Sequence, residues 1–178
     1  NPAPATPPLA GDRRADVVVV GGGYTGLSAA LHLAEAGANT VLVEAEELGF
    51  GASGRNNGQV LPVYVRHNPD DIERLYGTEQ GDRLNRWVMG SADLVFNLAR
   101  RHAIDCDATQ NGWISPAHRP SRLGVVRAKY EQWAKRGAPV DLLDRQATAA
   151  LVGGEHYHGA WVHRAGGHIQ PLNFARGL

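Results

Sequence analysis

A single cysteine, Cys106, rules out an internal disulfide and a thiolate metal cage, and it fits a reducing cytoplasm. No apolar run approaches the ~20 residues needed to span a bilayer. The opening NPAPATPPLAGDRRAD lacks the apolar core of a secretory leader and reads as a flexible arm. Charge of one sign is missing too. Eighteen basic residues balance eighteen acidic ones, and no Lys/Arg cluster marks a surface for nucleic acid or membrane. His156, His158, His163 and His168 lack the carboxylate or thiol spacing of a metal site, so no metal is expected. No repeat or low-complexity tract follows the arm. What remains is a chain of 178 residues, 43% hydrophobic and 20% charged, enough for one domain or for one and part of another.

The informative stretch is VVVVGGGYTGLSAALHLAEAGANTVLVEA, from Val17 to Ala45. The β-branched run Val17–Val20 predicts a strand buried on both faces. Leu27, Ala30, Leu31 and Ala34 recur at helical period, and Gly37 stands where a helix would stop. TVLVEA predicts a second strand. Within this βαβ unit Gly21, Gly23 and Gly26 have G-x-G-x-x-G spacing. Gly21 allows a tight turn out of the strand, Gly23 lets a pyrophosphate approach the backbone at the helix N-terminus, and Gly26 lets helix and sheet pack closely. Glu44, at the end of the second strand, is placed to accept hydrogen bonds from a ribose 2′-hydroxyl and to repel a phosphate there, which argues against NADP. The bland alternative is a glycine turn that only packs, against which the strand before, the helix after, the second strand and the acid at its end all speak.

The fingerprint alone does not separate NAD from FAD. The segment EELGFGASGRNNGQVLP, Glu46 to Pro62, is a long polar loop of small residues where a nicotinamide dehydrogenase usually continues into regular structure. Gly51, Ala52, Ser53 and Gly54 let backbone lie against a planar ligand, while Arg55, Asn56 and Asn57 offer donors. GGGYTGLSAALHLAEAG followed by GFGASGRNNGQ resembles the D-amino-acid-oxidase-like family of FAD-dependent oxidoreductases, in particular its gamma-glutamylputrescine oxidase-like branch. IDCDATQNGWISPA and GGHIQPLNFARGL resemble family segments as well. The branch commonly shows GASGRNGGQ, and Asn57 replaces the first glycine of that pair.

The resemblance implies FAD held by Gly21, Gly23, Tyr24, Thr25, Gly26, Glu44 and Ala45. It places Ser53, Arg55, Asn56, Asn57, Gly58 and Gln59 near the pyrophosphate and flavin. It also implies oxidation of a primary or secondary amine (an amino acid or polyamine derivative), with O2 as acceptor and imine or aldehyde and H2O2 as products. No catalytic side chain is assigned. An NAD-binding dehydrogenase domain and an inactive nucleotide-binding fragment are the alternatives.

The expected fold class is α/β, a Rossmann-like FAD-binding βαβ unit plus part of an α+β substrate domain, incomplete as a fold. The arm covers residues 1–15, the βαβ unit and flavin loop 16–68, a helical segment 69–105, a partial substrate domain 106–166, and a return to the FAD-binding domain 167–178. Leu84 to Leu98 and Leu123 to Trp133 have helical spacing. Asn111-Gly112 predicts a β-hairpin, His156 and His158 alternate as if on a strand, and Pro171 opens a helix. Arg164 and His168 are candidates to face a substrate. The chain begins with Asn1 and is read as the N-terminal half of an oxidase, partnered by the rest of the same polypeptide or another copy.

Overall fold

The computed structural model describes residues 4–178, so the first three residues of the arm lie outside the described residues. In chain order the elements are β1 (Val17–Val20), α1 (Tyr24–Glu35), β2 (Thr40–Val43), β3 (Gln59–Val60), α2 (Pro69–Tyr76), α3 (Thr78–Arg101), β4 (Trp113–Pro116), α4 (Leu123–Ala134), β5 (Val140–Leu143), α5 (Arg145–Val152), β6 (Ala160–His163), β7 (Gly167–His168) and α6 (Pro171–Gly177). Single 3-10 turns cover Ala52–Gly54 and Pro120–Arg122. They form two compact units, each drawing on separate stretches of chain. No helix among the described residues is long and apolar enough to cross a membrane.

The first unit comprises residues 4–58, 97–108 and 168–178. Its strands β1 and β2 pair in parallel, Val17 opposite Thr40 and Val20 opposite Val43, with α1 as the crossover between them. Helix α1 stops at Gly37, whose φ of +87° suits glycine and whose amide bonds the Ala34 carbonyl at 2.9 Å. Burial of β1 on both faces is not found. Val18 is 61% and Val20 82% exposed, while Val17 and Val19 are partly covered. Period-2 side chains on β-branched residues report strand propensity, and this chain covers only the face toward α1.

The second unit comprises residues 59–96 and 109–167. Its antiparallel sheet has the order β4-β6-β5. Trp161 from β6 packs with Val126 and Trp133 of α4 and with Ala117 and Ala138. Such aromatic pairs contribute beyond their buried area, and Trp113 meets Trp161 edge-on at 5.5 Å. Helix α2 starts with Asn68 and Asp71 in a capping box. Arg136 ties α2 to the end of α4 by bonding Asp70 at 2.6 Å and Glu73.

Two local expectations are corrected here. Gly112 does turn the chain, with φ +97°, but its amide bonds the Gly166 carbonyl. Strand β4 pairs with the distant β6 rather than with residues before the turn, so there is no hairpin. A local turn signal was outweighed by a long-range ladder of apolar residues. His156 and His158 lie in turns before β6 starts at Ala160.

Candidate nucleotide-binding site

The glycine turn links β1 to α1 within the first unit. Gly21 leaves the strand at φ +104° and bonds the Val43 carbonyl at 2.8 Å, which ties the turn to the end of β2. A Cβ at Gly26 would lie 2.0 Å from the Gly21 carbonyl oxygen and 3.2 Å from Val19, so helix and turn touch only because that atom is missing. Gly23 caps α1 without a side chain, and Tyr24, Thr25 and Gly26 form a first turn that carries no acid. The positive end of the helix dipole therefore faces no carboxylate of its own helix.

Glu44 sits one residue beyond β2. One carboxylate oxygen accepts from the Gly22 amide at 2.6 Å; the other accepts from the amides of Ala45 at 2.8 Å and Glu46 at 3.1 Å. These bonds, led by that from Gly22, hold its carboxyl below the usual carboxylate range, so it is an anion at neutral pH. Gly22, whose amide Glu44 accepts, is the position that the G-x-G-x-x-G spacing passes over. A Cβ there would strike Leu48 at 2.6 Å and Glu44 at 3.2 Å. The middle glycine of the run is the only trace of this in the sequence.

The 3-10 turn Ala52–Gly54 brings Ser53 to the same place. Its hydroxyl accepts from the Tyr24 amide at 2.9 Å, and a Cβ at Gly23 would meet it at 3.0 Å. Asn56 holds the loop's shape: its Nδ2 donates to the Ala52 and Ser53 carbonyls, and its Oδ1 accepts from Gly58 at 2.8 Å. Gly58 has φ +72°, and a Cβ there would lie 2.1 Å from the Ile169 carbonyl. Asn57 is not among the non-glycine residues with positive φ, so its backbone is one that any residue adopts. The glycine usual there in the resembled branch is not required by conformation.

The structure thus brings Gly21, Gly23, Tyr24, Thr25, Gly26, Glu44, Ala45 and Ser53 together, with Asn56 and Gly58 shaping the loop. Arg55 instead lays its guanidinium over the Phe50 ring at 4.4 Å. Asn57 is exposed, and Gln59 begins β3 in the second unit. Arg164 pairs with Asp141 on β5 at 2.5 Å and 2.9 Å. Among the described residues no group of three or more His, Cys, Asp or Glu converges on a point. A helix N-terminus without an acid in its first turn, a neutral hydroxyl beside it and an ionised acid at the next strand are together the donor and acceptor set that a dinucleotide's pyrophosphate and ribose need.

A parallel βαβ unit with this turn in one unit and an antiparallel sheet in the other define a two-part α/β flavoprotein-like fold. Solved structures share it. Glycine oxidase from Geobacillus kaustophilus superposes with a TM-score of 0.74 at 22% identity, over 93% of this chain and 43% of that one. L-amino acid deaminase from Proteus myxofaciens, in complex with anthranilate, gives 0.79 at 16% identity, over 98% of this chain and 37% of that one. The family model described as FAD dependent oxidoreductase (DAO) matches residues 16–178, and the chain belongs to this family. FAD is the family's cofactor, which decides between the two dinucleotides. Gamma-glutamylputrescine oxidoreductase of Escherichia coli (strain K12) is 42% identical over 163 residues, which cover 91% of this chain and 38% of that protein. Probable oxidoreductase OrdL of Rhizobium meliloti (strain 1021) is 37% identical over 177 residues, 98% of this chain and 41% of its own. The chain spans about two fifths of the length of these relatives.

Proposed function

We propose that this chain supplies the FAD-holding part of an oxidase that acts on a primary or secondary amine in the cytoplasm, with O2 as electron acceptor. The amide of Gly22 bonded to the Glu44 carboxylate, beside an α1 N-terminus whose Tyr24 amide donates to the Ser53 hydroxyl, is the observation that carries this reading. The amides of the first turn of α1 would bind the pyrophosphate, and Glu44 would orient the adenosine ribose. Ser53 and Asn56 would hold the small-residue loop in place against the flavin. When bound, FAD would supply the two-electron oxidation: hydride leaves the carbon next to the amine nitrogen, O2 receives the electrons, and imine and H2O2 result.

The 42% identity to an enzyme named for gamma-glutamylputrescine favours a polyamine derivative over a plain amino acid. The remaining length of the relatives corresponds to further polypeptide, from the same chain or another copy, that would complete the site. The test is peroxide release from the flavin-loaded protein across a panel of glutamylated polyamines, free polyamines and amino acids. Turnover fastest on a glutamylated polyamine supports the reading. Turnover only with a nicotinamide acceptor, or no turnover in the complete protein, would overturn it.

A further inference from the structure

We infer that Tyr24 is a positioning residue that couples the glycine turn to the loop Gly49–Gly58 through α6, so that docking of α6 and nucleotide binding are linked. This rests on the FAD reading above.

Tyr24 is the first residue of α1, and it reaches two other segments at once. Its amide donates to Ser53 in the loop at 2.9 Å, and its hydroxyl donates to the Pro171 carbonyl at the start of α6, also at 2.9 Å. Its ring meets Phe174 of α6 edge-on at 5.6 Å. The loop itself is pressed against α6. A Cβ at Gly54 would come within 2.7 Å of Leu172, and one at Gly49 within 3.0 Å of both Leu172 and Ala175. Ile169 donates its amide to the Gly58 carbonyl at 2.9 Å, closing the far end of the loop against the same segment. The loop is therefore held from behind by a helix of only seven residues.

A helix that short has no stability of its own and is ordered by what it packs on. Besides its own Gln170 cap, it is held by the Cys106 carbonyl, which accepts from the Gln170 amide at 2.7 Å, by Arg176 paired with Glu47 at 3.3 Å, by the close approach of Gly177 to Ile104, and by the Tyr24 contacts. Removing the hydroxyl lowers the fraction of molecules in which loop and helix are both in place. Apparent affinity for a ligand that needs the ordered loop falls by that same fraction. The conformation, rather than any contact with the ligand, transmits the effect.

The experiment uses Tyr24→Phe, which keeps the ring and removes the hydroxyl together with its bonds to the Pro171 carbonyl and the Asn56 side chain, and reads backbone amide exchange and FAD affinity. In the ligand-free protein, exchange at residues 52–58 and 171–177 should rise together, while residues 113–163 stay as in the parent. The dissociation constant for FAD, from quenching of flavin fluorescence, should rise, by roughly tenfold at most and by less the more fully loop and helix are docked in the parent. FAD should slow α6 exchange in the parent and do so less in Tyr24→Phe. Phe174→Leu, which weakens only the ring contact, should show the same paired loosening to a smaller degree. Faster exchange confined to α6, with the loop unmoved, would overturn the coupling, as would unchanged FAD affinity beside a parent that binds. If the parent binds no flavin, the functional reading falls instead, and paired loosening in the ligand-free protein still decides the coupling.

Discussion

Glu44 is asked to hold one end of a ligand while its carboxylate already collects three backbone amides. Those bonds fix its rotamer and keep it ionised, leaving its remaining acceptor capacity for a ribose. Glu44→Arg replaces that acceptor with a cation and frees the Gly22 amide. A hydrogen bond to a charged group is worth roughly 1.5–3 kcal/mol, so FAD affinity should fall more than tenfold, measured by fluorescence titration.

His163 on β6 is a second residue with a sharp expectation. It has no exposure, neither ring nitrogen has a hydrogen-bond partner, and the rings of Trp133 and Trp161 each lie 6.3 Å away. Burial pushes its pKa down to about 4, against the small opposing pull of Asp93. The folded value lies below the usual 6.5. The stability from the neutral ring is therefore complete above pH 6.5 and fades as pH falls toward 4, by about 3 kcal/mol if no rearrangement intervenes. His163→Phe should flatten the fall in unfolding midpoint between pH 7 and 5. An equally steep fall in the variant would show that the ring is not neutral and buried.

At the level of elements, the βαβ unit was legible because each of its signals is local. Four β-branched residues, a helical repeat, a stop at Gly37 and a second strand all lie within one contiguous stretch, and the structure forms them there. The role of Gly22 was hidden, since nothing in the spacing says that its amide meets Glu44. The clasp of α6 on the loop was hidden for the same reason: Tyr24 and Pro171 are far apart in sequence. The false hairpin at Gly112 shows the opposite failure, a correct turn with the wrong strand partner. The test that belongs here is Gly23→Val. Its Cβ would meet the Ser53 hydroxyl at 3.0 Å, and its branched methyls would fill the space in front of the α1 amides. The variant should purify without flavin and keep its far-UV circular dichroism. Stoichiometric flavin in the variant would place the phosphate elsewhere.

For the whole molecule, exposed Val18 and Val20 give a strand face with apolar side chains toward solvent. Large exposed apolar faces and open parallel edges favour association. The 178-residue chain by itself should therefore run as an oligomer in light scattering and release little peroxide from any amine; Val18→Thr with Val20→Thr should shift it toward monomer. A monodisperse monomer that turns over an amine would refute this. Whether the glycine turn and Glu44 hold FAD is decided by one titration. FAD fluorescence is followed as the parent chain and its Glu44→Arg variant are added, with NAD as competitor. Saturable quenching by the parent, a curve shifted more than tenfold by the variant, and no displacement by NAD are the expected results. Superimposable curves for parent and variant, or displacement of FAD by NAD at comparable concentration, would contradict it.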